Sequence, residues 1–218
     1  MTKKDILKNT EYFVKETLRD AEGGHDWFHV ERVYKNALHL AKTELVNDFV
    51  VALAALLHDI ADSKFHDGND NIGPEKAKQF LLTQQVPLPV IAHVVQIIKH
   101  MSYSSGLDGN KAFNSAELQV VQDADRLDAL GAIGIARAFN YGGFKNRPLY
   151  NPDIKPNLNM DKAAYRASSA PTINHFYEKL LRLKNSMNTE TGKKMAAQRH
   201  QFMEAYLEQF YAEWHGQR

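Results

Sequence analysis

The sequence predicts an all-α protein, and three observations lead to that prediction. Apolar residues recur at helical spacing along most of the 218-residue chain. Helix-capping residues, together with Gly and Pro, separate these segments. The composition, with 44% hydrophobic and 24% charged residues, is that of a folded globular protein. No linker divides the chain, so we expect one domain over residues 1–218, with C-terminal helices at about 160–214.

The first three predicted helices are recognised by their apolar faces and by the residues at their ends. Gly23 and Gly24 end the first, while Asp26 and Asn47 can cap the second and the third. The run Phe49–Leu57 is apolar on every side, so the third helix should lie at the centre of the domain. A short buried strand is the alternative, although alanine content and length favour a helix. The expected ranges are about 3–22, 27–45 and 48–61.

Proline marks the beginnings of the next two helices. Pro74 suits the first position of the fourth, and Pro87 and Pro89 precede the fifth.

A sixth helix is expected at about 115–140, because Asn114 and Glu117 resemble a capping box. Gly131 and Gly134 lie inside it and indicate close packing or a break.

The last third of the chain should contain a long loop and two helices. Residues 141–160 are rich in Gly, Pro and Asn, as in loops that act as lids or bind ligands. Helices should follow at about 170–187 and 190–214. The last is expected to bury one row of side chains, namely Met195, Phe202, Met203, Tyr206, Phe210 and Trp214.

The composition excludes several classes of protein. The chain has no cysteine, which rules out disulfide frameworks and cysteine nucleophiles. With 27 Lys and Arg against 26 Asp and Glu, the formal charge is +1, so we expect no nucleic-acid partner. The longest apolar run is far shorter than the ~20 residues that cross a bilayer, and no signal peptide is evident. We therefore expect a cytoplasmic protein without a membrane partner.

The end of the third predicted helix carries the strongest chemical signal, His58-Asp59. Of three His-Asp pairs in the chain, it alone follows an apolar run. A buried carboxylate needs a metal, a cation or a proton, and an adjacent imidazole can form half of a metal site. The alternative is a helix-end histidine beside a salt-bridged aspartate.

The second predicted helix carries a polar stripe at i, i+4, i+7 and i+11. Its members are His25, His29, Arg32 and Asn36. The stripe is either a solvated face or the wall of a cleft, with His29 as a metal ligand and Arg32 as a phosphate contact.

The sixth predicted helix contains three aspartates in close succession. Asp125 and Asp128 lie near its apolar face, where one buried carboxylate can complete a metal site. Asp123 is more simply explained as a surface partner of Arg126.

Taken in order, His29, His58-Asp59 and Asp125 resemble the H…HD…D signature of the HD-domain metal-dependent phosphohydrolase superfamily. The core resemblance covers about residues 25–130. The stretches His-Asp-Trp-Phe-His-Val-Glu-Arg-Val and Asp-Ala-Asp-Arg-Leu-Asp-Ala-Leu-Gly, with Thr-Glu-Thr-Gly-Lys and Phe-Tyr-Ala-Glu-Trp in the tail, are similar to a small bacterial subfamily, the YpgQ/YedJ-like HD hydrolases.

The resemblance implies an all-α HD-domain helical bundle, followed here by the C-terminal helical extension. It also implies one divalent metal ion, held by His29, His58, Asp59 and Asp125. Two imidazoles and two carboxylates suit Mn, Mg, Fe or Co more than a closed zinc site, and we favour Mn. Such an ion lowers the pKa of a bound water and polarises phosphorus.

Some HD proteins hold a second ion with further histidines, for which His93 and His100 are candidates on one helix face. We prefer a single ion, and His100 is then either a substrate contact or a helix-end residue. Lys99 and Arg32 are further substrate candidates. Solvation is the simpler explanation of Lys99 and of three other basic residues, Arg137, Lys145 and Arg147.

Two residues after the HD pair are assigned to catalysis by the same resemblance. HD hydrolases often carry an acid, commonly Glu, that activates the attacking water, and Asp62 stands at that position. Its shorter side chain and loop position leave a purely structural role open. Lys64 either stabilises phosphate charge or is an exposed lysine.

We therefore predict a metal-dependent phosphohydrolase of small nucleotides, and the subfamily resemblance favours nucleoside triphosphate pyrophosphohydrolase. The alternatives are an HD-type nucleotide phosphodiesterase or 5′-nucleotidase, and a nucleotide-binding sensor without turnover. A (p)ppGpp hydrolase is disfavoured, since its acid pair after the HD motif is replaced by Ile60-Ala61-Asp62-Ser63. The oligomeric state stays open, with a homodimer as one option.

Overall fold

The computed structural model describes residues 1–21, 24–61, 71–101, 113–160, 164 and 167–218. Every regular element longer than one turn in these segments is a helix, which confirms the all-α prediction. The elements are α1 (Lys3–Thr17), α2 (Trp27–Ala41), α3 (Asp48–Leu57), α4 (Ile72–Thr83), α5 (Leu88–His100), α6 (Ala116–Asp128), α7 (Gly131–Phe144), α8 (Thr172–Glu178), a 3₁₀ helix (Leu180–Ser186) and α9 (Glu190–Trp214).

The chain forms two compact units, Met1–Asp125 and Arg126–Arg218, whose boundary falls inside α6. Each unit is described by itself, and the single domain expected for residues 1–218 stays a prediction. No helix within the described segments combines the length and the apolarity that a membrane span requires.

The first unit is built around α3, which packs against α1, α2 and α5. All nine residues from Phe49 to Leu57 are buried, as expected for a helix that is apolar on every side. Asn47 caps α3, because its side chain accepts hydrogen bonds from the backbone N–H groups of Phe49 and Val50. Burial of a side chain such as Leu contributes roughly 1.5–3 kcal/mol, so α3 supplies much of the core.

The predicted cap of α6 is wrong by one residue. Ser115, not Asn114, accepts the backbone N–H of Leu118, at 3.1 Å. Glu117 does not reach back to the helix start. Its side chain instead accepts the backbone N–H of Asn47 at 2.9 Å, which ties the beginning of α6 to the beginning of α3.

The single helix expected at 115–140 is interrupted, as its glycines indicated. Gly131 adopts a φ of +70°, a left-handed conformation that favours glycine, and α7 begins there. At Gly134 a Cβ atom would lie 2.2 Å from the carbonyl oxygen of Ala129, so close packing demands glycine. Both readings of these glycines, a break and close packing, are therefore confirmed.

Several other helix boundaries differ from the expected ones. The first three helices end four or five residues early, at Thr17, Ala41 and Leu57. Pro74 is the third residue of α4 rather than its first. The helix expected at 170–187 is instead α8 followed by the 3₁₀ helix, whereas α9 has the predicted range 190–214.

The second unit packs α9 against α7 and the 3₁₀ helix, with α8 against the same two elements. The row predicted to be buried on α9 is only partly so: Met203 is buried, while Phe202 is 54% and Trp214 47% exposed. The buried stripe of α9 instead continues through His200 and Leu207.

The loop that follows α7 is hydrogen-bonded to α8 and to the 3₁₀ helix of the same unit. The side chain of Asn174 donates to the carbonyl of Ile154, and Arg182 donates to that of Leu158. Glu178 accepts the backbone N–H of Asn157. The expected loop begins later than residue 141, because α7 continues to Phe144. Its closure over a ligand stays a prediction.

Candidate metal centre

His29 is placed by the cap of α2. Asp26 accepts the backbone N–H of His29 at 2.9 Å, as the sequence predicted for this capping residue. The ring of His29 is buried, with 2% of the residue exposed. Farther along α2, the side chain of Asn36 donates to the carbonyl of Ala124, which ties this helix to α6.

His58 lies at the C-cap of α3, and its two ring nitrogens have different surroundings. Nδ1 is 2.9 Å from the carbonyl oxygen of Ala55. Because a carbonyl only accepts, Nδ1 is the donor, and the neutral imidazole then has its lone pair on Nε2. Nε2 is buried and, within the described part of the chain, has no hydrogen-bond partner. A buried acceptor of this kind is costly unless an ion or another donor occupies the space beside it.

Asp125 completes a cluster with the two histidines. Its Oδ1 atom is 3.5 Å from Nε2 of His29 and 4.0 Å from Nε2 of His58. One ligand atom from each of the three residues lies within 4.8 Å of the others. Atoms that bind one ion at about 2.0–2.2 Å are separated by about 3–4 Å, so this spacing fits a shared metal.

Asp59, the fourth predicted ligand, lies beside this cluster but faces another histidine. Its Oδ2 atom is 3.9 Å from Nε2 of His29 and only 2.6 Å from Nδ1 of His25. Burial raises the pKa of Asp59, but the hydrogen bond from His25 and the nearby imidazoles outweigh that effect. The pKa therefore lies below its ordinary value, which favours the carboxylate form that a metal requires.

The histidine pair on α5 lies outside the three-residue cluster. Nε2 of His93 is 3.0 Å from the hydroxyl of Ser115 and 3.5 Å from Glu117. His93 thus packs α5 against the start of α6. Nδ1 of His100 contacts the carbonyl of Gln96 at 2.8 Å. Neither histidine belongs to a metal-binding group in the described residues.

The predicted substrate contacts are spread over two helices. Arg32 lies on α2 one turn after His29 and is partly exposed. Lys99 and His100 end α5, where the carbonyl of His100 accepts a hydrogen bond from Gln122 on α6. Their contact with a substrate stays a prediction. The two predicted catalytic residues, Asp62 and Lys64, lie outside the described residues.

The acidic residues of α6 are not arranged as the sequence suggested. Asp123 is fully buried and is not a surface acid, because it shares the buried side of α6 with Val120 and Ala124. Asp128 is also buried and accepts a hydrogen bond from Arg137 at 2.8 Å. Asp125 has a side chain that is 42% exposed, which leaves it open to a ligand.

The remaining basic candidates have protein partners. Arg137 pairs with Asp128, and Arg147 donates to the carbonyl of Ser168. The ammonium of Lys145 lies 4.9 Å from the centre of the Phe144 ring. These contacts favour structural roles over phosphate binding.

The contact that sequence reasoning missed joins His25 to Asp59. His25 was recognised only as a member of the α2 stripe. Its position one turn before His29 was a signal, but a sequence separation of 34 positions gave no indication that His25 contacts Asp59.

Comparisons with known proteins identify the family of the chain. The HD domain family model matches residues 27–130. YpgQ from Bacillus subtilis is 38% identical over 197 residues, covering 90% of this chain and 88% of YpgQ. The crystal structure of an HD-superfamily hydrolase from Bacillus thuringiensis has a TM-score of 0.79 at 43% identity, covering 98% of this chain and 99% of that chain.

YpgQ has also been crystallised in complex with ADP. That structure has a TM-score of 0.77 at 35% identity, covering 98% of this chain and 97% of that chain. The matched HD segment contains the ordered residues His29, His58, Asp59 and Asp125, and the relatives extend over nearly the whole sequence. The chain therefore belongs to the HD-domain superfamily, as one of its metal-dependent phosphohydrolases.

Proposed function

We propose that this phosphohydrolase cleaves nucleoside triphosphates into nucleoside monophosphate and pyrophosphate. The observation that carries the proposal is the buried, unpartnered Nε2 of His58, which lies beside His29 and Asp125 in the described structure. The ADP bound to YpgQ supports a nucleotide as the substrate class. Attack at the inner phosphate is the reaction that the subfamily resemblance favours.

The donor set fits one divalent ion. His29 and His58 offer imidazole nitrogens, and Asp125 and Asp59 offer carboxylate oxygens. Mixed nitrogen and oxygen ligands without thiolate suit Mn²⁺, Mg²⁺, Fe²⁺ or Co²⁺, and we favour Mn²⁺. When bound, the ion would act as a Lewis acid on a phosphate oxygen and lower the pKa of a water.

Hydrogen bonds within the chain orient the two histidines of this site before a ligand binds. The bond from His58 to the carbonyl of Ala55 fixes the tautomer and turns Nε2 toward Asp125. The cap at Asp26 fixes the turn of α2 that carries His29. We assign Arg32 to a phosphate oxygen, since its planar guanidinium can donate two parallel hydrogen bonds.

Two further roles complete the proposal. Asp62 accepts a proton from the attacking water, and Lys64 neutralises charge on the phosphates. Lys99 and His100 are assigned to the remainder of the nucleotide. These assignments come from the resemblance and from positions in the sequence.

The test is hydrolysis of a panel of nucleotides by the purified protein with Mn²⁺ or Mg²⁺. Pyrophosphate and orthophosphate are measured separately, and products are identified by phosphorus NMR. We expect pyrophosphate and nucleoside monophosphate in equal amounts. Orthophosphate and a nucleoside diphosphate from a triphosphate would indicate attack at the terminal phosphate, and orthophosphate and a nucleoside from a monophosphate would indicate a 5′-nucleotidase. Cleavage of cyclic nucleotides would indicate a phosphodiesterase, and binding without turnover would indicate a sensor.

A further inference from the structure

Asp59, one of the predicted metal ligands, makes a short polar contact with His25, which is not a predicted ligand. Nδ1 of His25 lies 2.6 Å from Oδ2 of Asp59. The two side chains are largely buried, with 25% and 15% of their surfaces exposed. A solvent-exposed ion pair contributes little to stability, but a short, largely buried hydrogen bond to a carboxylate is strong and directional.

His25 is held in place by the same turn that places His29. It directly precedes Asp26, the capping residue whose carboxylate accepts the backbone N–H of His29. The rings of His25 and His29 lie edge to face, with centroids 6.0 Å apart. The segment from His25 to His29 thus contacts two predicted ligands. It carries His29 itself, and its His25 bonds to the carboxylate of Asp59, which follows the C-cap of α3.

The direction of the hydrogen bond follows from its acceptor. A carboxylate only accepts, so Nδ1 of His25 carries the proton and donates to Oδ2. The bond restricts rotation of the Asp59 side chain, whose Oδ2 is then 3.9 Å from Nε2 of His29. Partners that orient a ligand in this way typically change metal affinity by about 10- to 100-fold.

We propose that His25 is a positioning residue of the metal centre, which orients the Asp59 carboxylate for metal binding through the Nδ1 hydrogen bond. The inference rests on the metal site of the proposed function. His25 acts as a hydrogen-bond donor rather than as a ligand, because its Nδ1 is directed at Oδ2 of Asp59.

Substitution of His25 by Asn or by Gln distinguishes this role from a merely structural one. The amide nitrogen of Asn can take the place of Nδ1 of histidine, whereas that of Gln takes the place of Nε2. His25→Asn therefore keeps the donor to Asp59, and both His25→Gln and His25→Ala lose it. His39→Ala serves as the matched control, since His39 is an exposed histidine on α2.

The experiment measures Mn²⁺ affinity of each variant from the electron paramagnetic resonance signal of free Mn²⁺. We expect His25→Ala and His25→Gln to raise the dissociation constant by about 10- to 100-fold. His25→Asn and His39→Ala should remain close to the unsubstituted protein. In turnover assays, the Mn²⁺ concentration for half-maximal rate should rise in parallel, while kcat at saturating Mn²⁺ recovers.

Three outcomes would overturn the inference. Equal Mn²⁺ affinity for His25→Gln and His25→Asn would show that the donor at Nδ1 is not used. Loss of Mn²⁺ binding in His25→Asn as well as in His25→Ala would make His25 a ligand rather than a positioning residue. If the unsubstituted protein binds no Mn²⁺, the metal site of the proposed function fails as well, so the two failures are distinguishable. Because Asn and Gln are both polar, their comparison remains valid if His25→Ala does not fold.

Discussion

His58 shows at the scale of one residue why this site suits a metal ion. Its Nδ1 is satisfied by the carbonyl of Ala55, and its buried Nε2 has no partner among the described residues. An unsatisfied buried acceptor costs about 1–3 kcal/mol, so the metal-free fold bears a penalty that a metal ion would remove.

This penalty predicts the behaviour of His58→Leu. The variant loses the hydrogen bond to Ala55, worth about 1 kcal/mol, but it also removes the unpartnered nitrogen, so the metal-free fold should remain stable. A ligand at 100 times its Kd stabilises a folded protein by about 2.7 kcal/mol. Mn²⁺ should therefore raise the Tm of the unsubstituted protein and leave that of His58→Leu unchanged in thermal unfolding.

His39→Leu provides the matched control, because His39 is exposed on α2. It should keep the full Mn²⁺-dependent rise in Tm. An equal rise in His58→Leu would contradict the assignment of His58 as a ligand.

A second prediction at the residue scale concerns the role of Asp62 in catalysis. If its carboxylate activates the attacking water, Asp62→Asn should keep its bound Mn²⁺ and lose about 10²- to 10⁴-fold in kcat. Elemental analysis and pyrophosphate release measure the two effects separately. Near-normal turnover with metal bound would remove Asp62 from the mechanism.

At the scale of the helices, capping and glycine residues decide where elements begin and end. Asp26 and Asn47 were recognised as caps because their side chains accept backbone N–H groups in a local pattern. The cap of α6 was misassigned by one residue, since Asn114, Ser115 and Glu117 all have side chains suited to capping. The structure separates these alternatives, because Ser115 accepts the N–H of Leu118, Asn114 accepts the side-chain amide of Gln119, and Glu117 accepts the N–H of Asn47.

The start of α7 yields a prediction about backbone conformation. Gly131 has a φ of +70°, and a Cβ there would lie 3.1 Å from Cγ of Arg199. A left-handed conformation costs an L-residue roughly 1–2 kcal/mol, so Gly131→Ala should destabilise the protein by at least that amount. Urea unfolding measures the change in the free energy of unfolding.

Gly143 is the matched control, because it lies near the end of α7 and a Cβ there meets no atom within 4 Å. Gly143→Ala should stabilise the protein by roughly 0.5–1 kcal/mol. Effects of the same sign in both variants would contradict the conformational argument.

At the scale of the whole molecule, a histidine in the second unit couples stability to pH. Burial lowers the pKa of His175 to about 4 from its ordinary 6.5, with further contributions from Lys179 and Arg147. Between these pH values the unfolded chain binds a proton that the folded chain does not. The contribution of the neutral, buried His175 to the free energy of unfolding is therefore fully present above about pH 6.5. It is lost as the pH falls toward 4.

The expected loss over that interval is about 3 kcal/mol at most. Urea unfolding at pH 4.5 and pH 7.5 should show a smaller pH dependence in His175→Gln than in the unsubstituted protein. His39→Gln, at an exposed position, should retain the original dependence. An unchanged dependence in His175→Gln would assign the acid sensitivity to other groups.

The all-α class, the central position of α3, two of the caps and the range of α9 were predictable because each depends on local periodicity or on hydrogen bonds within one turn. The residues of the candidate metal site were also predictable, as an ordered pattern of ligand types. The exact ends of the helices were less predictable, since the formation of the last turn depends on packing against neighbouring helices.

The sequence by itself therefore determined the all-α class and the order of the candidate ligand types along the chain. Only the tertiary structure decided that Asp123 is buried and that His25 contacts Asp59, because both facts depend on packing between segments far apart in the chain. It also placed Nε2 of His58 beside His29 and Asp125, which lie 29 and 67 residues away in sequence. A ligand set becomes a site only when helix packing brings its atoms within a few ångströms, and no local pattern specifies that distance.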